Sequence, residues 1–368
     1  MKIRPFELER FFAEHEFSVE HLLCTSDCES VSIRELLSLD PEAAESFQDH
    51  WLGYTESAGA PALRQAIAGL YNTVTADNIL VHAGAQEAIF LFMHAVLKPG
   101  DHVIVHWPCY QSLMEVPRSM GCHVHLWRAR EDAGWALDRE ELQAAIRPET
   151  RAIILNLPHN PTGFLMPREE FLAVSHVAQE RGLLLFSDEV YRESEYQVAD
   201  RLPAACDLGP HAVSLGVMSK TYGLPGLRIG WVASRNDEVL EKMAELKDYT
   251  TICASAPSEF LATHALTHRE ALIRRNLGII QENLKHLDRF FQERADRFRW
   301  VRPKAGSIAF PRLLQGTIQE LVADLVKGPG VLLAPGTVFG VAGNHFRLGF
   351  GRRDMPEALS RLEDFLGS

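Results

Sequence analysis

The sequence predicts an α/β protein with a mostly parallel sheet flanked by helices, and a smaller α+β lobe built from both chain ends. Short apolar runs alternate with segments of helical length from about residue 78 to 233. After about residue 236 this alternation gives way to long helical segments and a few short apolar runs. The alternating part is typical of a parallel sheet covered on both faces. We expect an arm that joins the small lobe over 1–45, a large lobe over 46–250 and a small C-terminal lobe over 251–368.

Composition narrows the range of functions. The chain has 368 residues, of which 46% are hydrophobic and 23% charged, as in ordinary soluble proteins. A formal net charge of −12 argues against a nucleic-acid partner. There is no apolar run long enough to span a membrane and no apolar signal core near the amino terminus. We therefore expect a cytoplasmic protein with no membrane partner. Its six cysteines suggest neither a disulfide framework nor a metal site.

The large lobe begins with a helix in which Pro61 lies near the first turn, where its missing N–H costs nothing. Leu63, Ile67 and Leu70 recur at helical spacing in that segment. The elements that follow are predicted in order: strands at 78–82, 102–106, 122–127, 151–156, 183–186 and 212–218, and helices at 84–97, 111–120, 138–146 and 168–181.

The last third of the chain predicts two or three long helices over roughly 236–298 and a closing helix from about 355. Short strands are expected around 307–310, 331–334 and 346–350, as suits a small α+β lobe. The first 45 residues are polar and partly helical, and they have no clear core pattern.

Chemically useful side chains follow several predicted strands, and ligands of open α/β sheets bind beyond the carboxyl ends of strands. The backbone N–H groups of Ala85 and Gln86, at a helix start, suit a phosphate, although any strand-to-helix turn offers such groups. Tyr110 offers an aromatic face or is simply packed. Asn160 precedes a proline and either directs its amide at a ligand or only forms a turn.

Two charged residues sharpen this picture. Asp188 follows a very apolar strand and needs a cationic partner, which is either a pyridinium nitrogen or a nearby arginine. Lys220 follows another apolar run, where lost solvation would make it a nucleophilic amine, although most lysines lie on the surface. With Tyr191 and Arg228 added, one ligand would use all of these groups: pyridoxal 5′-phosphate.

Three segments, HNPTG, SDEVY and SKTYGLPGLRIGW, resemble the signature segments of the fold type I, class I/II aminotransferases. The resemblance runs from about Gly53 to Phe350, and the order and spacing of the three segments make it specific. It implies a pyridoxal phosphate-dependent aminotransferase that moves an amino group between an α-amino acid and a 2-oxo acid through a Schiff base on Lys220. It also implies a homodimer with shared active sites.

The resemblance assigns roles to individual residues. Lys220 would form the Schiff base and shuttle a proton, and Asp188 would keep the pyridine nitrogen protonated. Asn160 and Tyr191 would bind the 3′-oxygen of the cofactor, and Tyr110 would stack on its ring. The phosphate would be held by Ala85, Gln86, Ser219, Arg228 and Tyr54 of the neighbouring subunit. Arg347, with Asn160, would bind the substrate α-carboxylate. No metal is expected.

Two departures from the family pattern leave the reaction open. Val217 stands where many relatives have a Ser or Thr on the phosphate, and residues 24–30 replace a Gly-containing segment that helps set specificity. In its short arm and its SKTYGLPGLRIGW segment the chain resembles the subgroup that includes capreomycidine synthase, which cyclises a hydroxylated arginine derivative. A lyase or cyclase acting on an arginine-derived substrate is therefore the alternative. A cofactor-sensing regulator is disfavoured, because no basic DNA-binding module is present.

Overall fold

The computed structural model describes residues 2–367. The helices, numbered α1 to α14 in chain order, are Glu7–His15, Ile33–Leu37, Ala43–Gln48, Pro61–Ala68, Ala85–Val96, Ser112–Ser119, Arg139–Ala145, Arg168–Glu180, Ala205–Leu208, Asp237–Lys247, Ala256–Thr267, Arg269–Glu293, Ile318–Lys327 and Met355–Gly367. The strands, β1 to β14, are His21–Leu22, Ile79–His82, His102–Trp107, His123–Arg128, Thr150–Asn156, Leu184–Asp188, Ala212–Val217, Gly230–Ser234, Phe298–Arg299, Ile308–Ala309, Arg312–Leu313, Val331–Leu332, Ala334–Pro335 and Phe346–Gly349.

Seven strands form the central sheet in the order β2-β8-β7-β6-β5-β3-β4. All neighbouring pairs are parallel except those of β8, which runs antiparallel to both β2 and β7. The mostly parallel sheet predicted from the sequence is therefore confirmed. The predicted strands of the large lobe lie within two residues of the observed ones at each end, because buried parallel strands appear as uninterrupted apolar runs.

The sheet is packed on both faces. Phe92 of α5 lies against Phe186 of β6, with ring centroids 4.3 Å apart. On the other face Phe171 and Val174 of α8 join Leu185 in a second buried cluster. The helices on both faces hold the strand ends in place. The residues that directly follow the strands therefore start from fixed positions.

A separate apolar core unites the two chain ends. Leu8 of α1 and Leu23 next to β1 are buried in one cluster with Phe290, Phe346 and Leu362. Strand β1 also pairs in parallel with β12. The small lobe from both chain ends is thus confirmed, and the arm contributes to its core although the arm sequence shows no clear core pattern. A two-residue strand is too short to show a period. The lobe boundaries near 45 and 250 stay a prediction.

The longest helix, α12, is amphipathic and buries its apolar face. Leu272, Ile280, Leu284 and Leu287 are buried along it, while charged residues occupy much of the remaining surface. Within residues 2–367 there is no helix that is long and apolar enough to cross a membrane.

Candidate active site

A cavity of about 430 Å³ lies beyond the carboxyl ends of the central strands. Every predicted site residue except Tyr54 lines it. One side, which we call the strand-end floor, consists of residues beside the ends of the central strands: Ala85, Gln86, Asn160, Asp188, Tyr191, Ser219, Lys220 and Arg228. The opposing side, the arm wall, consists of residues from α1 and the arm: Leu8, Glu9, Phe12, Glu16, Thr25, Ser26 and Asp27. Arg347 and Arg352 also line the cavity, as do Ile89, Tyr110, Asn156, Val190, Val217 and Pro225.

Lys220 follows β7 by three residues and directs its ammonium into the cavity. Its Nζ donates a hydrogen bond to Ser26 Oγ at 2.8 Å. Burial lowers the pKa of this ammonium, and the nearby Arg347 charge adds to that effect against the opposing influence of Asp27. A lysine that loses its proton more readily is a better nucleophile.

Asp188 is the last residue of β6 and is only 4% exposed. Burial raises the pKa of its carboxyl to about 7, and the hydrogen bond from Val190 N at 3.3 Å only partly opposes this rise. Among residues 2–367 there is no arginine or lysine within ion-pair distance of Asp188. The carboxyl therefore lacks the arginine partner considered in the sequence analysis, and a cationic ligand nitrogen would complete it.

Asn156, at the end of β5, holds the floor together. Its Nδ2 donates to the backbone oxygen of Asp188 at 3.0 Å, and its Oδ1 accepts from Asn160 N at 2.7 Å. One buried amide thus fixes the positions of two predicted site residues. Asn156 is not among the residues predicted from the sequence, although its place at the end of an apolar strand was a usable signal.

An anion site is built where β2 turns into α5. Gly84 adopts φ 86° as the N-cap of α5, so the N–H groups of Ala85 and Gln86 are free of helical partners. A Cβ atom on Gly84 would lie 2.6 Å from Arg228 Nη2. The missing side chain therefore lets the guanidinium approach the helix N-terminus, and together they suit a phosphate. Val217 contributes an apolar surface to the same cavity.

Arg347 on β14 is only 1% exposed. Its Nη1 donates to Asn160 Oδ1 at 3.3 Å and its Nε donates to the backbone oxygen of Cys24 at 3.1 Å. Its Nη2 has no hydrogen-bond partner within residues 2–367. Since buried polar groups in native proteins are nearly always paired, this donor points to an anionic ligand such as a carboxylate.

Both tyrosines of the cavity donate hydrogen bonds to residues of the arm wall. Tyr110 Oη donates to Glu9 Oε1 at 2.9 Å, and Tyr191 Oη donates to the backbone oxygen of Ser26 at 2.9 Å. Tyr191 thus ties the floor to the arm. Tyr54 does not line the cavity; it is 86% exposed beside the exposed side chains of Trp51 and Leu52.

The arm-wall carboxylates and Arg352 are not among the residues predicted from the sequence. Asp27 Oδ2 accepts a hydrogen bond from Arg352 Nη2 at 3.0 Å. Leu8 and Phe12 of α1 and its C-cap residue Glu16 are spaced by four residues, so they lie on one face of the helix. That spacing was visible in the sequence, but nothing there indicates that α1 packs over the strand ends.

Three possible metal ligands meet elsewhere. Asp40, His264 and His268 bring their ligand atoms within 4.8 Å of one another. None of the three lines the cavity, so the cavity chemistry is independent of them.

The cavity residues fit pyridoxal phosphate by chemistry. Arg228 and the α5 N-terminus suit its phosphate, and the unpaired Asp188 suits a protonated ring nitrogen. Lys220 supplies an amine for its aldehyde. A buried, unpartnered donor on Arg347 remains for a second anion, as an amino acid substrate requires.

Comparisons with known proteins agree with this fit. The family model described as aminotransferase class I and II matches residues 25–362. Capreomycidine synthase of Streptomyces vinaceus is 30% identical over 98% of this chain and 93% of its own length. The aspartate/prephenate aminotransferase of Thermus thermophilus is 29% identical over 85% of this chain and 83% of its own length. The crystal structure of a PLP-dependent aminotransferase from Streptococcus suis superposes with a TM-score of 0.94 and 34% identity, over 100% of this chain and 98% of that one.

These matches confirm the resemblance, the fold class, the cofactor and the enzyme class that the sequence predicts. The roles of individual residues stay predictions. The chain belongs to the class I and II aminotransferase family and is a pyridoxal phosphate-dependent aminotransferase of fold type I.

Proposed function

We propose that this aminotransferase moves the amino group of an α-amino acid to a 2-oxo acid in two half-reactions, with Lys220 as its central residue. The convergence of Lys220, Asp188, Arg228 and Arg347 on one cavity is the observation that carries this proposal. When bound, pyridoxal phosphate supplies an aldehyde that receives the amino group and a ring that accepts electrons from the substrate.

The floor residues would hold the cofactor and move protons. Lys220 Nζ would bind the cofactor covalently and, once released, remove the proton from the donor Cα atom. Asp188 would hold a proton on the ring nitrogen, because an ionised carboxyl in this apolar place needs a cation beside it. Asn160 and Tyr191 would bind the 3′-oxygen, and Tyr110 would cover the ring.

Two anion-binding sites would hold the cofactor by its phosphate and the amino donor by its α-carboxylate. Ala85, Gln86, Ser219 and Arg228 would hold the phosphate, with Val217 offering no hydroxyl there. Arg347 would bind the donor α-carboxylate through its unpartnered Nη2, with Asn160 beside it. Binding at two fixed points would orient the donor Cα over the floor.

The half-reaction with each amino acid tests the proposal. Purified holoenzyme is mixed with single amino acids, the cofactor absorbance is followed, and the 2-oxo acid is identified by mass spectrometry. We expect at least one donor to convert the cofactor to its aminated form with an equivalent amount of 2-oxo acid. Failure of every donor would contradict amino-group transfer.

A second candidate is cyclisation or elimination on the same cofactor. It is favoured by the similarity to capreomycidine synthase over nearly the whole of both chains and by the unusual arm at residues 24–30. Incubation with a β-hydroxylated arginine distinguishes cyclisation from amino-group transfer, and release of free ammonia would mark elimination. A cyclic product would support the cyclase, and a 2-oxo acid as the sole product would exclude it.

We further propose that the enzyme is a cytoplasmic homodimer in which Tyr54 reaches the phosphate of the neighbouring subunit. Trp51, Leu52 and Tyr54 are exposed, as is Tyr249. Ser57 Oγ donates to Asp248 Oδ1, which links the two segments that present this apolar patch. We expect light scattering to give the mass of a dimer and Leu52→Asp to give a monomer with weakened cofactor binding. A monomeric wild type would contradict the shared site.

A further inference from the structure

The charges of the cavity can be matched against the proposed ligands. Eight charged side chains line it, four acidic and four basic: Glu9, Glu16, Asp27 and Asp188, and Lys220, Arg228, Arg347 and Arg352. The cavity is therefore neutral when all eight are ionised. The proposed function, on which this inference rests, assigns a partner to some of these charges and leaves others without one.

Four charges belong to the cofactor and the α-carboxylate under that proposal. Arg228 would pair with the cofactor phosphate, and Arg347 with the substrate α-carboxylate. Asp188 would pair with the ring nitrogen, and Lys220 would be bonded to the cofactor. On the remaining side, Asp27 and Arg352 pair with each other at 3.0 Å. Only two carboxylates, both on the arm wall, then lack a cation.

These two carboxylates are Glu9 and Glu16. Glu9 is exposed, receives one hydrogen bond, from the neutral hydroxyl of Tyr110, and makes no ion pair with the described residues. The side chain of Glu16 makes neither a hydrogen bond nor an ion pair within residues 2–367. Burial raises the pKa of the Glu16 carboxyl, and the neighbouring Asp27 and Glu9 carboxylates contribute to the rise against the Arg352 charge. Bringing a cation beside them would relieve this repulsion.

The position of the two carboxylates relative to Arg347 suits the two ends of one ligand. Phe12 of α1 lies between them in the chain, three residues after Glu9 and four before Glu16, which is the C-cap residue of α1. Its ring centroid is 5.8 Å from Arg347 Cζ. With a helical rise of about 1.5 Å per residue, each carboxylate-bearing residue lies about 4.5–6 Å along α1 from Phe12. The unpartnered Nη2 of Arg347 is an independent sign that a carboxylate binds at this place.

We infer that the amino donor has a cationic side chain, a guanidinium or an ammonium, which Glu9 and Glu16 bind while Arg347 binds its α-carboxylate. The stem of such a side chain would lie along the Phe12 ring. A donor with a second carboxylate would meet the two acidic groups and be repelled. The cavity thus favours a substrate class opposite in charge to aspartate, although the Thermus thermophilus relative is named for aspartate.

Pairs of donors in which one member has a cationic side chain and the other a neutral side chain of similar length test this inference. The half-reaction is measured with arginine against citrulline, and with lysine against norleucine. We expect kcat/KM to be at least about tenfold higher for a cationic donor than for its neutral partner, as for a hydrogen bond to a charged group. The two pairs also separate a guanidinium preference from an ammonium preference. Cationic donors that are no better than their neutral partners would overturn the inference.

Matched variants locate the selectivity. Glu16→Gln and Glu9→Gln remove a charge at nearly constant shape and should lower the ratio of arginine to citrulline efficiency. Glu14→Gln is the control, because Glu14 lies on the same helix but outside the cavity lining; it should keep the wild-type ratio. An unchanged ratio in both cavity variants would overturn the assignment to these residues.

A binding measurement separates this inference from the proposed function. 5-Guanidinopentanoate has the carboxylate and the guanidinium of arginine but no α-amine, so it binds without reacting; 5-ureidopentanoate is its neutral partner. Calorimetry on wild-type holoenzyme should give tighter binding of the guanidinium compound by about tenfold. If no amino acid is transaminated but this difference is found, the proposed reaction is wrong and the cation site stands. Equal affinities would overturn the cation site whatever the reaction.

Discussion

The strand-end floor and the arm wall enclose the same cavity, but they come from different parts of the chain and differ in their charge. The floor residues lie at the ends of buried strands of one rigid sheet. The arm wall comes from α1 and a short segment after β1, which the small-lobe core and the Asp27–Arg352 ion pair hold in place. The floor presents cations and anions that each match one group of the cofactor. The arm wall presents an excess of negative charge.

This difference indicates that the floor binds the cofactor and that the arm wall determines which substrate binds. Asp188, Lys220 and Arg228 suit a ligand that every member of a cofactor-dependent family must bind. Glu9 and Glu16 match no chemical group of the cofactor, so we expect them to determine substrate specificity. The two sides meet at two hydrogen bonds, from Lys220 to Ser26 Oγ and from Tyr191 to the backbone oxygen of Ser26.

Removal of the floor amine should have the largest effect. Lys220→Ala is expected to lower turnover by about 10³-fold or more, because it removes both the covalent anchor and the proton-transfer group. After borohydride reduction, mass spectrometry should find the cofactor attached to wild type and not to the variant. Lys242→Ala, which removes an exposed lysine of α10, is the control and should retain it. A variant that kept the attached cofactor would contradict the role of Lys220.

Loss of the carboxylate anchor should have the next largest effect. Arg347→Ala is expected to lower kcat/KM for any donor by about 10–100-fold, the value of a hydrogen bond between charged groups. Arg347→Lys keeps the charge but not the planar pair of donors and should recover only part of the loss. Arg361→Ala on α14 serves as the control. Equal losses for a donor with and without its α-carboxylate would contradict this assignment.

Removal of the hydrogen bond between Tyr191 of the floor and Ser26 of the arm wall should have a smaller effect on activity. Tyr191→Phe removes the hydrogen bond to the arm and the proposed bond to the cofactor, so an effect of about two- to tenfold on kcat/KM is expected. If Tyr191 binds the cofactor, the pH titration of the cofactor absorbance shifts in the variant. If it only holds the arm, hydrogen exchange of residues 24–30 becomes faster and the titration stays unchanged.

The smallest expected effect concerns stability of the cofactor-free protein. Burial raises the pKa of Asp188 from 3.8 to about 7, so the folded protein binds this proton more tightly than the unfolded chain. Its contribution to the free energy of unfolding is therefore present below about pH 4 and is lost as the pH rises through about 7.

We expect the melting temperature of the cofactor-free wild type to fall between these pH values by about 3–5 °C more than that of Asp188→Asn. Asp132→Asn, which changes an exposed carboxyl, should follow the wild type. Bound cofactor should remove the difference, since its ring nitrogen stabilises the carboxylate. Identical slopes for wild type and Asp188→Asn would show that burial of this carboxyl has no such cost.

The two sides also differ in how far the sequence predicts them. The floor could be predicted because each residue follows an apolar strand or stands in a recognisable segment, as Asp188 and Lys220 do. The arm wall could not, because β1 is two residues long and the contacts that fix the arm, such as its pairing with β12, are made with distant parts of the chain. Glu9 and Glu16 appear in the sequence as solvated charges of a polar helix. Their meaning depends on the packing of Leu8 into a core formed by residues from the other end of the chain.

A crystal structure of the holoenzyme with 5-guanidinopentanoate tests the division between floor and wall most directly. We expect the ligand carboxylate on Arg347 and its guanidinium within hydrogen-bond distance, about 3 Å, of Glu9 or Glu16. A guanidinium that points to solvent, or a carboxylate bound away from Arg347, would contradict it.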